Sequence, residues 1–179
     1  MIVIVAGVSG SGKTTAGTLL ASRLGWPFAD ADDFHPAASI AKMQGGVPLT
    51  DADRWPWLHA IAAWMDERIA RGESAVVTCS ALKRAYRDLL LTGRPQARMI
   101  FLSVDRAEVD RRLLARRGHF FPERLLGSQF AALEPPTPEE TAVTVIPAGS
   151  PDATVTAIIA VLSLSGIPGP AGGDHEAKA

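Results

Sequence analysis

The chain has 179 residues, a formal net charge of −1 and 47% hydrophobic residues. That balance suits one domain with a sizeable core, and it excludes a disordered chain and a generally basic nucleic-acid binder. Cys79 is the single cysteine, so no intrachain disulfide can form, and no stretch reaches the ~20 apolar residues of a membrane span. The expectation is a cytoplasmic protein with neither nucleic acid nor membrane as partner. The apolar N-terminus lacks the charged lead of a signal peptide and runs straight into a glycine-rich loop, so it reads as structural.

Ile2-Val3-Ile4-Val5-Ala6 is a continuous apolar run, as for a strand buried on both faces. Gly7-Val8-Ser9-Gly10-Ser11-Gly12-Lys13-Thr14 follows and has the form G-x-x-x-x-G-K-[ST], a phosphate-binding loop. Its glycines let the backbone come close to a phosphate, and successive N–H groups form an anion nest. Lys13 can reach the outer phosphates, and the Thr14 hydroxyl can ligate Mg²⁺. A helix over 16–24 supplies the positive end of its dipole. Strand, loop and helix in that order separate a phosphate loop from a chance glycine-rich turn. The expected nucleotide contacts are Gly7, Ser9, Gly10, Ser11, Gly12, Lys13, Thr14 and Thr15.

Trp26-Pro27-Phe28-Ala29 reads as a short second strand that delivers Asp30-Ala31-Asp32-Asp33 at its tip. Along an extended chain Asp30 and Asp32 fall on the same side. One carboxylate can hold a water on Mg²⁺, and the other can take the proton of a substrate hydroxyl. A solvated acidic turn with Asp33 as a helix cap is the alternative. A short helix over 36–43 ends at Gly45-Gly46. After a polar connection over 49–54, Asp51 or Asp53 caps a helix with Pro56 in its first turn. Trp57, Leu58, Ile61, Trp64, Met65 and Ile69 then recur at helical spacing and read as core.

Residues 74–79 form a third strand, ending in Cys79-Ser80, and a helix over 82–91 begins with Lys83 and Arg84. Arg54 and Lys83 near the strand tips either clamp a substrate carboxylate or form surface ion pairs with nearby aspartates. A fourth strand spans 99–104. The helix over 107–117 turns Val109, Leu113 and Leu114 inward and arginines outward. Arg111, Arg112, Arg116 and Arg117 precede Gly118-His119-Phe120-Phe121, a charge-rich hinge of the kind a closing lid needs. His119 is a substrate contact or a packing histidine. A helix over 123–133, a fifth strand over 142–146 and a last helix over 153–164 complete a single domain over 1–165, with the lid at about 112–130. The Gly-, Pro- and Ala-rich tail over 166–179 is expected to be disordered. The class is α/β, a parallel sheet with helices on both faces and a ligand cleft at the strand carboxyl ends.

Several stretches resemble the bacterial-type gluconokinases. They are the phosphate loop, Asp30-Ala31-Asp32, His35-Pro36, Ile40-x-Lys42-Met43, Pro48-Leu49-x-Asp51-x-Asp53-Arg54-x-Pro56-Trp57-Leu58, Cys79-Ser80-Ala81-Leu82-Lys83-x-x-Tyr86-Arg87-Asp88, Arg116-x-Gly118-His119-Phe120-Phe121 and Ser128-Gln129-Phe130. The order is unbroken to about residue 159. The resemblance implies ATP- and Mg²⁺-dependent phosphorylation of D-gluconate at its 6-hydroxyl by a P-loop kinase similar in fold to shikimate kinase. It implies a three-layer α/β/α fold with a five-stranded parallel sheet of order 2-3-1-4-5, a mobile lid and a homodimer. It further implies Lys13, Asp32 and Arg116 as catalytic residues, and Asp32, His35, Lys42, Arg54, Lys83, His119 and Gln129 on the substrate. Arg112 and the loop near Ala148 fall to the adenine. Thr14 stands where serine is common, and Asp33 leaves the base open between Asp32 and Asp33. No aspartate ends the third strand, so the metal role falls to Thr14 and, through water, to Asp30. A kinase for another small hydroxy acid such as shikimate, or a nucleotide-dependent switch without an acceptor, are the competing readings.

Overall fold

The computed structural model describes residues 1–115, 123–147 and 149–163. The predicted hinge over 116–122, with Arg116 and His119, lies outside the described residues, as do Ala148 and the tail. In chain order the elements are β1 (Ile2–Ala6), α1 (Lys13–Leu24), β2 (Phe28–Asp30), a 3-10 turn (Ala31–Phe34), α2 (Ala37–Gln44), α3 (Asp51–Ala70), β3 (Ala75–Cys79), α4 (Arg84–Leu91), β4 (Ala97–Leu102), α5 (Arg106–Ala115), α6 (Glu123–Ala132), β5 (Ala142–Val145) and α7 (Pro151–Val161). The strands form one parallel sheet in the expected order β2-β3-β1-β4-β5.

The apolar run at the N-terminus becomes the central strand because both of its faces can be covered. Ile2, Ile4 and Ala6 point to the layer that holds Trp57, Leu58, Ile61 and Met65 of α3. Val3 and Val5 point to the other, against Leu20 of α1 and Val155 and Ile158 of α7. Alternation along one strand thus feeds two cores. A fully buried side chain of this size contributes roughly 1.5–3 kcal/mol. Among the described residues no helix is long and apolar enough to cross a membrane.

Three local expectations are corrected. Helix α3 starts at Asp51, with Thr50 as its cap: the Thr50 hydroxyl accepts from the Asp53 N–H while the Asp53 carboxylate accepts from the Thr50 N–H. This capping box draws Arg54 into the helix and leaves Pro56 in its interior, beyond the first turn. An interior proline costs about 3 kcal/mol, which burial of Trp57, Leu58 and Ile61 directly after it offsets. Leu114 points outward, 88% exposed, while Val109 is buried and Leu113 packs beside it. The chain between Asp30 and Asp32 is not extended but already turns into the 3-10 segment.

Candidate active site

The glycines of the phosphate loop are required by close approach. A Cβ on Gly7 would lie 2.8 Å from the Leu102 carbonyl oxygen, and Gly7 has φ 138°. The Gly7 N–H donates to the Ser80 carbonyl (3.3 Å), tying the loop to the end of β3. Gly12 caps α1 without a side-chain cap bond, which leaves the first turn of the helix able to take an anion. The Lys13 ammonium donates to the Val8 carbonyl across the loop (3.0 Å). Arg112 is held by Glu108 (Nε to Oε1, 2.6 Å) and donates to the Ser11 carbonyl (3.1 Å). It lines a pocket of about 360 Å³ with Gly12, Thr15, Pro147, Gly149 and Ser150. That volume suits a nucleobase, and both expected elements, Arg112 and the loop after β5, meet there.

On the other side of the loop a cleft of about 720 Å³ is lined by Ser9, Lys13, Thr14, Asp30, Asp32, His35, Arg54, Ser80 and Gln129, among others. Asp30 ends β2 and caps the 3-10 turn, accepting from the Asp32 N–H at 3.1 Å. Capping, rather than strand alternation, brings the two carboxylates into one cleft. The Thr14 hydroxyl donates to Asp30 Oδ2 (3.0 Å). Its proton is thereby spent on the carboxylate and an oxygen lone pair stays open, which is the donor arrangement a Mg²⁺ ion fits.

Desolvation by the cleft walls, and next the Asp30 carboxylate, raise the Asp32 pKa above its ordinary value, against a lowering by Lys13. Because 87% of the Asp32 side chain is open to water, Asp30 is the firmer of the two causes. Asp33 is exposed and does not line the cleft.

His35 stacks on Trp57 with ring centroids 4.4 Å apart and planes at 10°. Burial, and next the Arg54 guanidinium, lower its pKa to about 4, so the imidazole is neutral at pH 7. Its Nδ1 is buried without a protein partner. We expect no inflection from His35 in the pH profile of kcat/KM between pH 6 and 8. In the unfolded chain a histidine takes up a proton near pH 6.5, and in the folded chain only near 4. The unfolded state thus binds more protons between those values, and stability from this group is full above pH 6.5 and falls toward pH 4. Urea unfolding at pH 7 and pH 5 checks this: His35→Gln loses less stability over that interval than the unaltered chain.

The remaining predicted residues divide. Arg54 lines the cleft, its Nε donating to the Leu49 carbonyl at 3.4 Å and its guanidinium 5.9 Å from the Tyr86 ring centre. Lys83 does not line it; its ammonium is 2.8 Å from both oxygens of Asp51, which also accepts from the Tyr86 hydroxyl at 2.6 Å. Lys42 likewise pairs with Asp53 at 2.6 Å. Gln129 of α6 reaches the phosphate loop: its Oε1 accepts from the Ser9 N–H (2.7 Å) and its Nε2 donates to the Ser9 hydroxyl (2.9 Å). Trp57, read from the sequence as core, has a double part. Its Nε1 donates to the Ala31 carbonyl at 2.6 Å and its ring backs His35 in the cleft. No periodic signal separates such a tryptophan from its packing neighbours.

A family model described as an AAA domain matches residues 2–136. The gluconokinase of Gluconobacter oxydans is 45% identical over 157 residues, 88% of each chain. A gluconokinase from Sinorhizobium meliloti has a solved structure that superposes with a TM-score of 0.81 at 43% identity, over 91% of both chains. The unliganded structure of a sugar kinase from a Janibacter species superposes at 0.85 with 44% identity, over 92% of this chain and 95% of that one.

Proposed function

Because this chain belongs to the gluconokinase family and is accordingly a kinase, we propose that it transfers the γ-phosphoryl group of ATP to the 6-hydroxyl of D-gluconate. The products are 6-phospho-D-gluconate and ADP. The observation that carries this reading is the meeting of Lys13, Asp30, Asp32 and Arg54 on one cleft. The base pocket beside Arg112 opens on the opposite side of the same phosphate loop.

Asp32 orients the primary hydroxyl and takes its proton as the oxygen attacks the γ-phosphorus. The bond from that phosphorus to the β–γ bridging oxygen breaks, and its electrons leave with ADP. Lys13 and the loop N–H groups hold the phosphates, and Lys13 meets the charge on the transferring group. Thr14, and Asp30 through water, would hold Mg²⁺, which supplies charge neutralisation on the β- and γ-phosphates when bound. Neutral His35 offers a hydrogen bond to an acceptor hydroxyl from its stack on Trp57. Arg54 takes the gluconate carboxylate, with His119 as a further substrate contact and Lys42 and Lys83 reaching the acceptor once freed from Asp53 and Asp51. Arg116 acts from the lid on the phosphoryl group. The same reading includes a cytoplasmic homodimer.

A coupled ADP-release assay across gluconate, shikimate, glucose and nucleoside monophosphates tests the proposal. Gluconate-dependent ADP release is expected. Its absence overturns the reading, and turnover with shikimate alone makes the chain a kinase for another hydroxy acid. Arg54→Lys, which keeps the charge but loses the planar fork, should raise the gluconate KM by about tenfold with kcat little changed. An unchanged KM in the same assay would remove Arg54 from the carboxylate.

A further inference from the structure

Arg87 is a fully buried arginine on α4 with no part in the chemistry above. Its Nε and one terminal nitrogen fork onto Glu140, at 2.6 and 2.9 Å. Its other terminal nitrogen donates to the carbonyls of Ala81 and Leu82, each at 3.1 Å. The two side chains are only 1% and 4% exposed, and the arginine holds the Glu140 carboxyl below its usual pKa. A dry ion pair of this kind is a poor stabiliser, because desolvating two charges consumes most of their attraction. Geometry is what it supplies well, through a fixed, planar set of donors.

The turn it holds lies against the cleft. Ala81 has φ 39°, a left-handed conformation that is strained for a residue with a Cβ. Ser80 lines the cleft and its carbonyl takes the Gly7 N–H of the phosphate loop. The Leu82 carbonyl takes the Glu134 N–H at 2.9 Å, and the Glu134 carboxylate takes the Arg84 N–H at 2.7 Å. Glu134 follows α6, whose Gln129 returns to Ser9. Phosphate loop, turn and α6 thus form a closed hydrogen-bonded circuit, and the Arg87–Glu140 pair sits behind its only strained residue among these.

We propose that Arg87 and Glu140 are positioning residues for phosphoryl transfer: together they hold Ala81, in the turn at 80–82, in its left-handed conformation and so set the acceptor wall against the phosphate loop. This rests on the reading of the chain as a gluconate kinase.

The test compares the full chain with Arg87→Lys, Glu140→Asp, Ala81→Gly and the Arg87→Lys/Ala81→Gly double variant, each assayed well below its own melting temperature. Arg87→Lys and Glu140→Asp should raise the gluconate KM about tenfold while the Kd for ATP moves less than about twofold. Adding Ala81→Gly to Arg87→Lys should recover at least half of the loss on a logarithmic scale, since glycine takes a positive φ without strain. A merely structural pair would lower the melting temperature, leave both constants unchanged and show no rescue; that result overturns the proposal. Hydrogen exchange on the unaltered protein stands beside the variants should they not fold. Amides at 80–82 and at Glu134 should slow together when gluconate binds, and independent behaviour also overturns it. Absence of gluconate-dependent ADP release in the unaltered protein would instead sink the underlying kinase reading.

Discussion

Replacing Lys13 by alanine should lower kcat about a thousandfold while leaving the melting temperature nearly unchanged. Lys13 opens α1, and its ammonium rests on the Val8 carbonyl, spanning the phosphate loop rather than supporting the core. The loop keeps its shape without it, because the close packing at Gly7 and the bond from Gly7 to Ser80 are backbone properties. Among the described residues, the other cation bonded to the phosphate loop, Arg112, is bound to Glu108 and lines the second pocket instead. Loss of a preorganised cation from a site where charge moves toward the leaving oxygen is worth about 4 kcal/mol in the transition state. Steady-state kinetics with saturating ATP and gluconate, with a thermal melt of the same sample, measures both. A variant that keeps more than about a tenth of the normal kcat would show that the phosphates are held by backbone alone.

Asp32→Asn should cost about a hundredfold or more in kcat, the usual range for loss of a positioned proton acceptor. Asp33→Asn should cost little, because Asp33 lies outside the cleft. The amide keeps the size of the side chain and the cap at Asp30 accepts from the Asp32 backbone N–H, so the 3-10 turn is undisturbed. The pH profile gives an independent reading. Asp30 and the cleft walls shift the Asp32 pKa upward, so activity should rise with pH through an inflection above the ordinary carboxylate value. Asp32→Asn should abolish that limb. Near-normal turnover in Asp32→Asn with loss in Asp33→Asn would reverse the assignment.

The phosphate loop was legible because its chemistry needs fixed residue types at fixed spacing, and β1 because a strand buried on both faces has no polar positions to confuse it. The Asp30–Asp32 pair was legible as a pair, but for the wrong local reason: a side-chain cap, not strand alternation, gathers it. The start of α3 was missed because its capping box uses aspartate at the third helical position, where the familiar signature has glutamate or glutamine. Lys42 was legible as a cation but not as a partner, whereas an ion pair with a nearby aspartate was one of the two readings open for Lys83. Which aspartate a flexible ammonium meets depends on how α2, α3 and α4 come together. Arg87 and Glu140 lie 53 positions apart, and no local pattern joins them.

The strand order carries a consequence for how such a protein can change. After α1 the chain crosses to β2 and β3, and it does not return to the nucleotide side of the sheet until β4. Asp32, His35, Arg54, Trp57 and Ser80 all lie within that one excursion, whereas the base pocket is drawn from the segments before and after it. On the proposed reading, most of the acceptor wall is thus one contiguous stretch set between the two parts that line the base pocket. Asp30, which bonds Thr14, and Ser80, whose carbonyl takes the Gly7 N–H, tie that stretch to the phosphate loop, so a change of acceptor within 28–83 must spare those two contacts. Among the described residues after that stretch, α6 also lines the cleft and bridges Ser9 through Gln129, so it is retuned with it.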